Sequence, residues 1–418
     1  MGPREVPKLY LNLSFLAYHV CGGQRTGGFF CMNNTNKQYD LVIIGGGIMG
    51  LMTAYYASQL TRNVALVEKS TIGNPQSASF GYTRSIRNDY LDPYYSRLAI
   101  ESRGLWEDLE RKSTIKLLIT CGVLNIAKQS VTPAIAKTYA SQSNRILSDL
   151  RIRNIGYTKM ELMRRFPQFT ADLGSLDLDG GLLRLQAIQQ VLLSSLKRQG
   201  VTLYEQRSIR SIEKTASRYR ISFDKQKITT STIAITTGVW INDVLALFDN
   251  CDIPPLPITK LKPPKTVYFL PKKSKQNLFS IKKLPVFAYL DVGIFGHPMF
   301  EGDTPGVKVG YFTPPGFTSN GKITSARDFV KECIPLLGDA PLVEPKEEEL
   351  GYFEMTPDGN FIVGMLPKLP GVSVAGGFCG TGYKFAPLIG KVLAQLSLQK
   401  GTVYEISKFS PNRFRQTR

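Results

Sequence analysis

One stretch of about thirty residues constrains this chain more than any other. Residues 39–44 (Tyr-Asp-Leu-Val-Ile-Ile) are a short apolar run, of the kind that forms a parallel strand buried on both faces. They lead into Gly45-Gly46-Gly47-Ile48-Met49-Gly50, a G-x-G-x-x-G pattern that opens a helical stretch over residues 51–60. Residues 63–68 then form a second strand ending in the acid Glu68. Each part has a mechanical reason. Gly45 permits the tight turn, Gly47 lets the backbone approach a pyrophosphate, and Gly50 lets helix and strand pack closely. The helix start offers free N–H groups and the positive end of its dipole to phosphates. Glu68 is placed to accept hydrogen bonds from ribose hydroxyls. An acid there disfavours a 2′-phosphate, which favours FAD or NAD over NADP.

A second glycine-rich turn lies far along the chain. Residues 372–376 read as a buried strand, Gly376-Gly377-Phe378-Cys379-Gly380-Thr381-Gly382 as the turn, and residues up to 399 as a helix. Such a unit returns the chain to the nucleotide domain, where a helix start suits the electron-rich edge of a reduced flavin. Between these ends, residues 180–200 read as an amphipathic helix closed by Gly200, 201–206 as a strand, and 208–238 as a three-strand meander ending in a buried strand. Residues 285–312 alternate in strand fashion and suggest an antiparallel sheet roofing a substrate. Pro254, Pro255, Pro257, Pro263 and Pro264 mark the crossing between domains.

The expected fold class is therefore α/β. It has a Rossmann-like FAD-binding domain, discontinuous in sequence (37–118, 178–250 and 350–410), and an α+β substrate domain built on an antiparallel sheet (119–177 and 251–349). Residues 1–36 combine a short apolar run with a Gly-rich segment. They read as a disordered extension, a weak targeting signal or genuine structure, and carry no part of the fold argument.

Composition removes other classes. The chain has 418 residues and a formal charge of +19. That excess suits anionic partners in general or simply a solvated surface, and no nucleic-acid-binding motif accompanies it. No run of about 18 apolar residues offers a membrane span. The six cysteines (Cys21, Cys31, Cys121, Cys251, Cys333 and Cys379) include no CxxC pair, so no metal site is expected and a reducing, cytoplasmic setting is. With only His19 and His297 available, acid–base work falls on other groups or on a cofactor.

The glycine motif is joined by Phe80-Gly81-Tyr82-Thr83-Arg84-Ser85-Ile86-Arg87, Thr237-Gly238-Val239-Trp240, Val307-Lys308-Val309-Gly310-Tyr311, Met355-Thr356-Pro357-Asp358 and residues 377–385. Taken in this order, the blocks resemble the D-amino-acid-oxidase superfamily of flavoproteins, in particular its monomeric sarcosine oxidase and N-methyltryptophan oxidase branch. The resemblance spans residues 39–400. It implies FAD and oxidation of a C–N bond beside a carboxylate, with dioxygen reduced to hydrogen peroxide. It further implies a carboxylate-bearing amine as substrate and a monomer with no nucleic-acid partner.

Residue by residue, the resemblance implies that Arg87 and Lys384 bind the substrate carboxylate, that Arg84 stands beside the flavin ring, and that Lys308 promotes oxygen reduction. A guanidinium fork suits a carboxylate, and a buried cation would stabilise charge developing on oxygen. It places Gly45, Gly47, Gly50, Glu68, Thr83, Gly238, Gly380, Gly382 and Lys384 at the cofactor.

Two departures stand out. The branch tethers FAD through a cysteine four residues before the Met-Thr-Pro motif, where this chain has Gly351, so noncovalent FAD is expected. Polar pocket positions of the branch carry Phe80, Phe295, Phe312 and, on the substrate, Phe353. Apolar walls with a few polar anchors favour a larger or more hydrophobic substrate than sarcosine. Two other readings are compatible with the sequence: oxidation of a 2-hydroxy acid or glycerol phosphate on the same fold, and a non-catalytic flavoprotein subunit of a complex.

Overall fold

The strand Lys37–Ile44 is paired in parallel on both sides, with Val64–Val67 and with Lys227–Ile235, and its residues 41–44 are buried throughout. Thr202–Tyr204 extends the sheet beyond Val64–Val67, and Val372–Gly376 extends it beyond Lys227–Ile235, both again in parallel. Ile362–Met365 adds an antiparallel edge. The meander Ser211–Lys214, Tyr219–Ser222 and Lys227–Ile235 is antiparallel, as its alternation suggests. The computed structural model describes residues 37–224, 226–312 and 322–414, and the readings of residues 1–36 lie outside them.

Helices Ile48–Ala57 and Ala386–Ser397, one following each glycine-rich turn, pack on each other against this sheet. Gly390 makes the approach possible, since a Cβ there would lie 2.5 Å from Met52 Cβ. Helix Leu185–Arg198 completes the layer. It starts later than the amphipathic pattern suggests. Residues Gly181–Arg184 form a strand instead, paired with Thr83–Ile86 and Leu118–Thr120. The reason is steric: a Cβ on Gly181 would lie 2.0 Å from the Ile119 carbonyl oxygen, so glycine lets the strands close.

A second sheet takes the order Leu342–Val343, Val267–Phe269, Val307–Tyr311, Ile294–His297, Val286–Tyr289, Val123–Ala127, Leu173–Asp177, Asn154–Thr158. All of its pairings are antiparallel except that between Val286–Tyr289 and Val123–Ala127. Its own core contains Phe169, Phe269, Phe287 and, from helix Ala326–Cys333, Phe329. The strands of the first sheet thus come from residues 37–67, 202–235 and 362–376, and those of the second from 123–177 and 267–343. The outgoing and returning crossings pair with each other as Thr259–Leu261 and Phe353–Met355. Among the described residues no helix is long and apolar enough to cross a membrane.

Candidate active site

A cavity of about 740 Å³ opens at the carboxyl ends of the parallel strands, lined by Gly45, Glu68, Thr237, Gly238 and the turn at 380–384. Open α/β sheets bind ligands at this position. Its far wall comes from the second sheet, through Phe295, Lys308 and Phe312.

The nucleotide end follows from the glycines. Gly45 has φ +108°, and its N–H donates to the Val67 carbonyl at 2.8 Å. A Cβ on Gly50 would stand 1.8 Å from the Gly45 carbonyl oxygen, so Gly50 serves packing and does not itself line the cavity. Gly47 caps helix Ile48–Ala57 with no side-chain hydrogen bond of its own; the Ile48 N–H donates to Ser79 Oγ at 2.9 Å, and the first turn offers its remaining N–H groups to a ligand. Glu68 accepts from the Gly46 N–H at 2.7 Å and from the Ser70 N–H at 2.8 Å. It therefore buttresses the loop while retaining lone pairs for a ribose. Among the described residues Thr237 Oγ1, on this wall, is buried without a hydrogen-bond partner, a donor-acceptor that a bound nucleotide would satisfy. The cradle fits a dinucleotide.

The tether position is closed. A Cβ on Gly351 would meet Ala78 Cα at 2.8 Å and Ser77 O at 3.1 Å, so even the first atom of a cysteine side chain collides with backbone. Cys379 lies in the second glycine turn. It is buried at φ +48°, with its sulfur 3.4 Å from the Gly377 carbonyl and 3.4 Å from Thr356 Oγ1, and it is not a cavity-lining residue.

The cavity brings together the cations singled out in the sequence. Lys308 Nζ lies 2.9 Å from Glu349 Oε1, and Arg84 Nη2 lies 2.9 Å from Glu349 Oε2. Burial would raise the Glu349 carboxyl, yet Arg84 and Lys308 hold it down to about 2. Arg87 Nη1 pairs with Asp89 at 2.9 Å and donates to the Tyr139 hydroxyl at 2.9 Å, and its guanidinium stacks over Tyr90 at 4.3 Å. Lys384 Nζ donates to the Thr381 carbonyl at 3.0 Å and has no carboxylate within ion-pair distance among the described residues. Burial, with Arg87 nearby, pushes its ammonium well below the usual lysine range.

Other expected residues fall into place differently. Phe353, Phe295 and Phe312 line the cavity, but Phe80 does not. It sits in the turn before strand Thr83–Ile86, where its carbonyl accepts from Arg84 at 2.6 Å. The Thr83 hydroxyl is engaged with His297 Nδ1 at 2.9 Å and Asp303 at 3.0 Å, although Thr83 borders the cavity. His297 Nε2 is held by Ser85 Oγ at 2.9 Å, and burial pushes the ring well below the usual histidine range. It is a neutral structural group.

Glu349, Glu354 and Tyr383 also line the cavity, outside the set expected from the sequence. Glu354 accepts from the Gly377 N–H at 3.0 Å, and burial without a cationic partner pushes it up to about 7. Tyr383 stacks on Trp106, with ring centroids 6.1 Å apart. The only signal for any of them was proximity to Gly351 or to the second glycine turn.

The model of a family described as FAD dependent oxidoreductase (DAO) matches residues 40–396. The peroxisomal sarcosine oxidase of Homo sapiens is 27% identical over 90% of this chain and 96% of its own. The N-methyl-L-tryptophan oxidase of Yersinia pestis is 24% identical over 90% of this chain and 100% of its own. Among solved structures, L-proline dehydrogenase from P. horikoshii superposes with a TM-score of 0.73 at 20% identity, covering 90% of this chain and 98% of that one.

Proposed function

The chain belongs to the DAO family of FAD-dependent oxidoreductases, and from that premise we propose that it oxidises the C–N bond of an amino acid or N-alkyl amino acid. The observation that carries this reading is a dinucleotide cradle sharing one cavity with Lys308, Arg84, Arg87 and Lys384. When bound, FAD accepts the hydride from the carbon beside nitrogen and returns two electrons to dioxygen, giving hydrogen peroxide.

The protein's own groups do the rest. Gly45, Gly47 and the remaining N–H groups of the helix start hold the pyrophosphate, with Gly50 packing behind them. Glu68 holds the ribose, and Thr83, Gly238, Gly380 and Gly382 form the wall along the cofactor. Lys384 and Arg87 take the substrate carboxylate, which gives the buried Lys384 ammonium the anionic partner it lacks. Phe353, Phe295 and Phe312 enclose the substrate's apolar portion, in keeping with a group larger than a methyl. Lys308 and Arg84 place positive charge where oxygen becomes negative. The imine product hydrolyses in water to a carbonyl compound and an amine or ammonia.

The FAD is noncovalent in this reading, which the crowding at Gly351 supports. The first sheet with its helices serves as the FAD domain and the second sheet as the substrate domain. The protein works as a monomer in a reducing compartment, in keeping with the unpaired Cys121, Cys251, Cys333 and Cys379. The sequence relatives are named oxidases, and Lys308 favours the same reading. The test is product analysis over a panel of N-methyl amino acids, amino acids and 2-hydroxy acids. Release of amine or ammonia with equimolar peroxide is expected, and turnover of hydroxy acids alone would contradict the reading.

A further inference from the structure

Two cations of the cavity converge on one carboxylate, and the three groups come from three separate segments. Lys308 lies on strand Val307–Tyr311, Arg84 on strand Thr83–Ile86, and Glu349 in the returning crossing before Phe353–Met355. Lys308 takes Oε1 of Glu349 and Arg84 takes Oε2, each at 2.9 Å, with Arg84 Nη1 also donating to Oε1 at 3.4 Å. Arg84 is further fixed by the carbonyls of Phe80 and Thr83. Lys308 is only 3% exposed, and Glu349 is its one carboxylate partner among the described residues.

The remaining neighbours of Lys308 cannot replace it. Tyr268, across one strand pairing, presents its ring 5.9 Å from the ammonium and turns its hydroxyl to Asp303 at 3.0 Å. His297, across the other pairing, has both nitrogens taken by Thr83 and Ser85. A long, rotamer-rich side chain in a buried site needs such an anchor to hold both its charge and its direction. Glu349 takes one of the three ammonium donors and leaves two for the cavity.

We propose that Glu349 is the positioning residue of the oxygen half-reaction, aiming the Lys308 ammonium so that positive charge stands where dioxygen gains electrons. The inference rests on the assignment of oxygen reduction to Lys308 made above.

Rapid-mixing kinetics on FAD-loaded wild type, E349Q, E349D, K308M and E349Q/K308M separate the two. E349Q is expected to slow reoxidation by dioxygen about tenfold, as a displaced catalytic group does, while leaving anaerobic reduction by substrate close to wild type. E349D recovers part of the loss. K308M loses about 100-fold or more, and the double variant is no slower than K308M, because Glu349 acts through Lys308. The flavin midpoint potential, a readout independent of turnover, rises in E349Q as one negative charge leaves. Normal reoxidation in E349Q beside slow K308M overturns the role of Glu349 and leaves that of Lys308 standing. Normal reoxidation in K308M overturns both. An equal loss in both half-reactions, or an unchanged potential in E349Q, makes Glu349 a structural prop and also overturns the proposal.

Discussion

Lys308 and Lys384 line the same cavity and are nearly equally buried, at 3% and 8% exposure, yet they are held in opposite ways. Lys308 has a carboxylate from its own chain, Glu349. Among the described residues the Lys384 ammonium donates to a backbone carbonyl and to no carboxylate, and burial pushes it well down. The carboxylates of the cavity divide in the same way. Glu349, between two cations, sits at about 2, whereas Glu354, with none, sits at about 7. A buried charge that the protein compensates is finished machinery, always in place. One left uncompensated is a place where a ligand can supply the missing partner, since pairing recovers what desolvation has cost. The comparison assigns Lys308 to chemistry common to every turnover and Lys384 to substrate capture.

The largest effect that would sharpen this contrast is on K384M. It should lose about 100-fold or more in kcat/KM, the usual scale for removing one partner of a buried charge pair, while reoxidation by dioxygen stays near wild type. An equal loss in both would erase the distinction between the lysines. The next effect is pH dependence. An anion binds the charged form of Lys384, and the free ammonium is lost at lower pH than in an ordinary lysine. Affinity for benzoate, a carboxylate with no amine of its own, should therefore weaken as pH rises, approaching about tenfold per pH unit once the free lysine is neutral. Perturbation of the flavin spectrum by benzoate measures it, and a flat profile would mean that Lys384 is not the anchor.

Glu354 offers a smaller test on the carboxylate side. Its folded value of about 7 lies above the ordinary 4.5, so the protonated form favours folding. That stability is present at low pH and lost as pH rises through 7. In FAD-free protein, the stability difference between wild type and E354Q should change by about 3 kcal/mol between pH 4 and pH 8, read from denaturant curves. Parallel curves would mean that Glu354 has an unseen cationic partner. The smallest effect is a silence. His297, with both ring nitrogens occupied by hydroxyls, should show no imidazole shift between pH 6 and pH 8 by NMR, and a titration there would open the Thr83–His297–Ser85 network to question.

What could be read from the sequence follows the range of the interactions. The strand, glycine turn, helix and acid of residues 39–68 are contiguous, and steric rules fix each part locally, so the nucleotide fold was legible. The beginning of helix Leu185–Arg198 was not. Residues Gly181–Arg184 continue the helical pattern through Leu182 and Leu183, and only pairing with a strand about a hundred residues earlier makes them extended. Phe80 was expected in the pocket, but the turn that holds it turns its carbonyl, not its ring, to use. Glu349 closes the run Glu347-Glu348-Glu349, which reads as a solvated acidic surface. Nothing within it marks the third glutamate, whose partners lie 41 and 265 residues away. Cations could be named from motifs; the counter-charges that distinguish them are tertiary.

The most direct test of the whole account is an anaerobic absorbance titration of the purified protein, first with an N-methyl amino acid bearing a large apolar side chain and then with the matching 2-hydroxy acid, followed by admission of air. Bleaching of the flavin by the amine alone, rapid return of the colour in air, and release of the flavin into the supernatant on acid precipitation are expected. Bleaching by the hydroxy acid alone, or a reduced flavin that stays bleached in air, would contradict the proposed function.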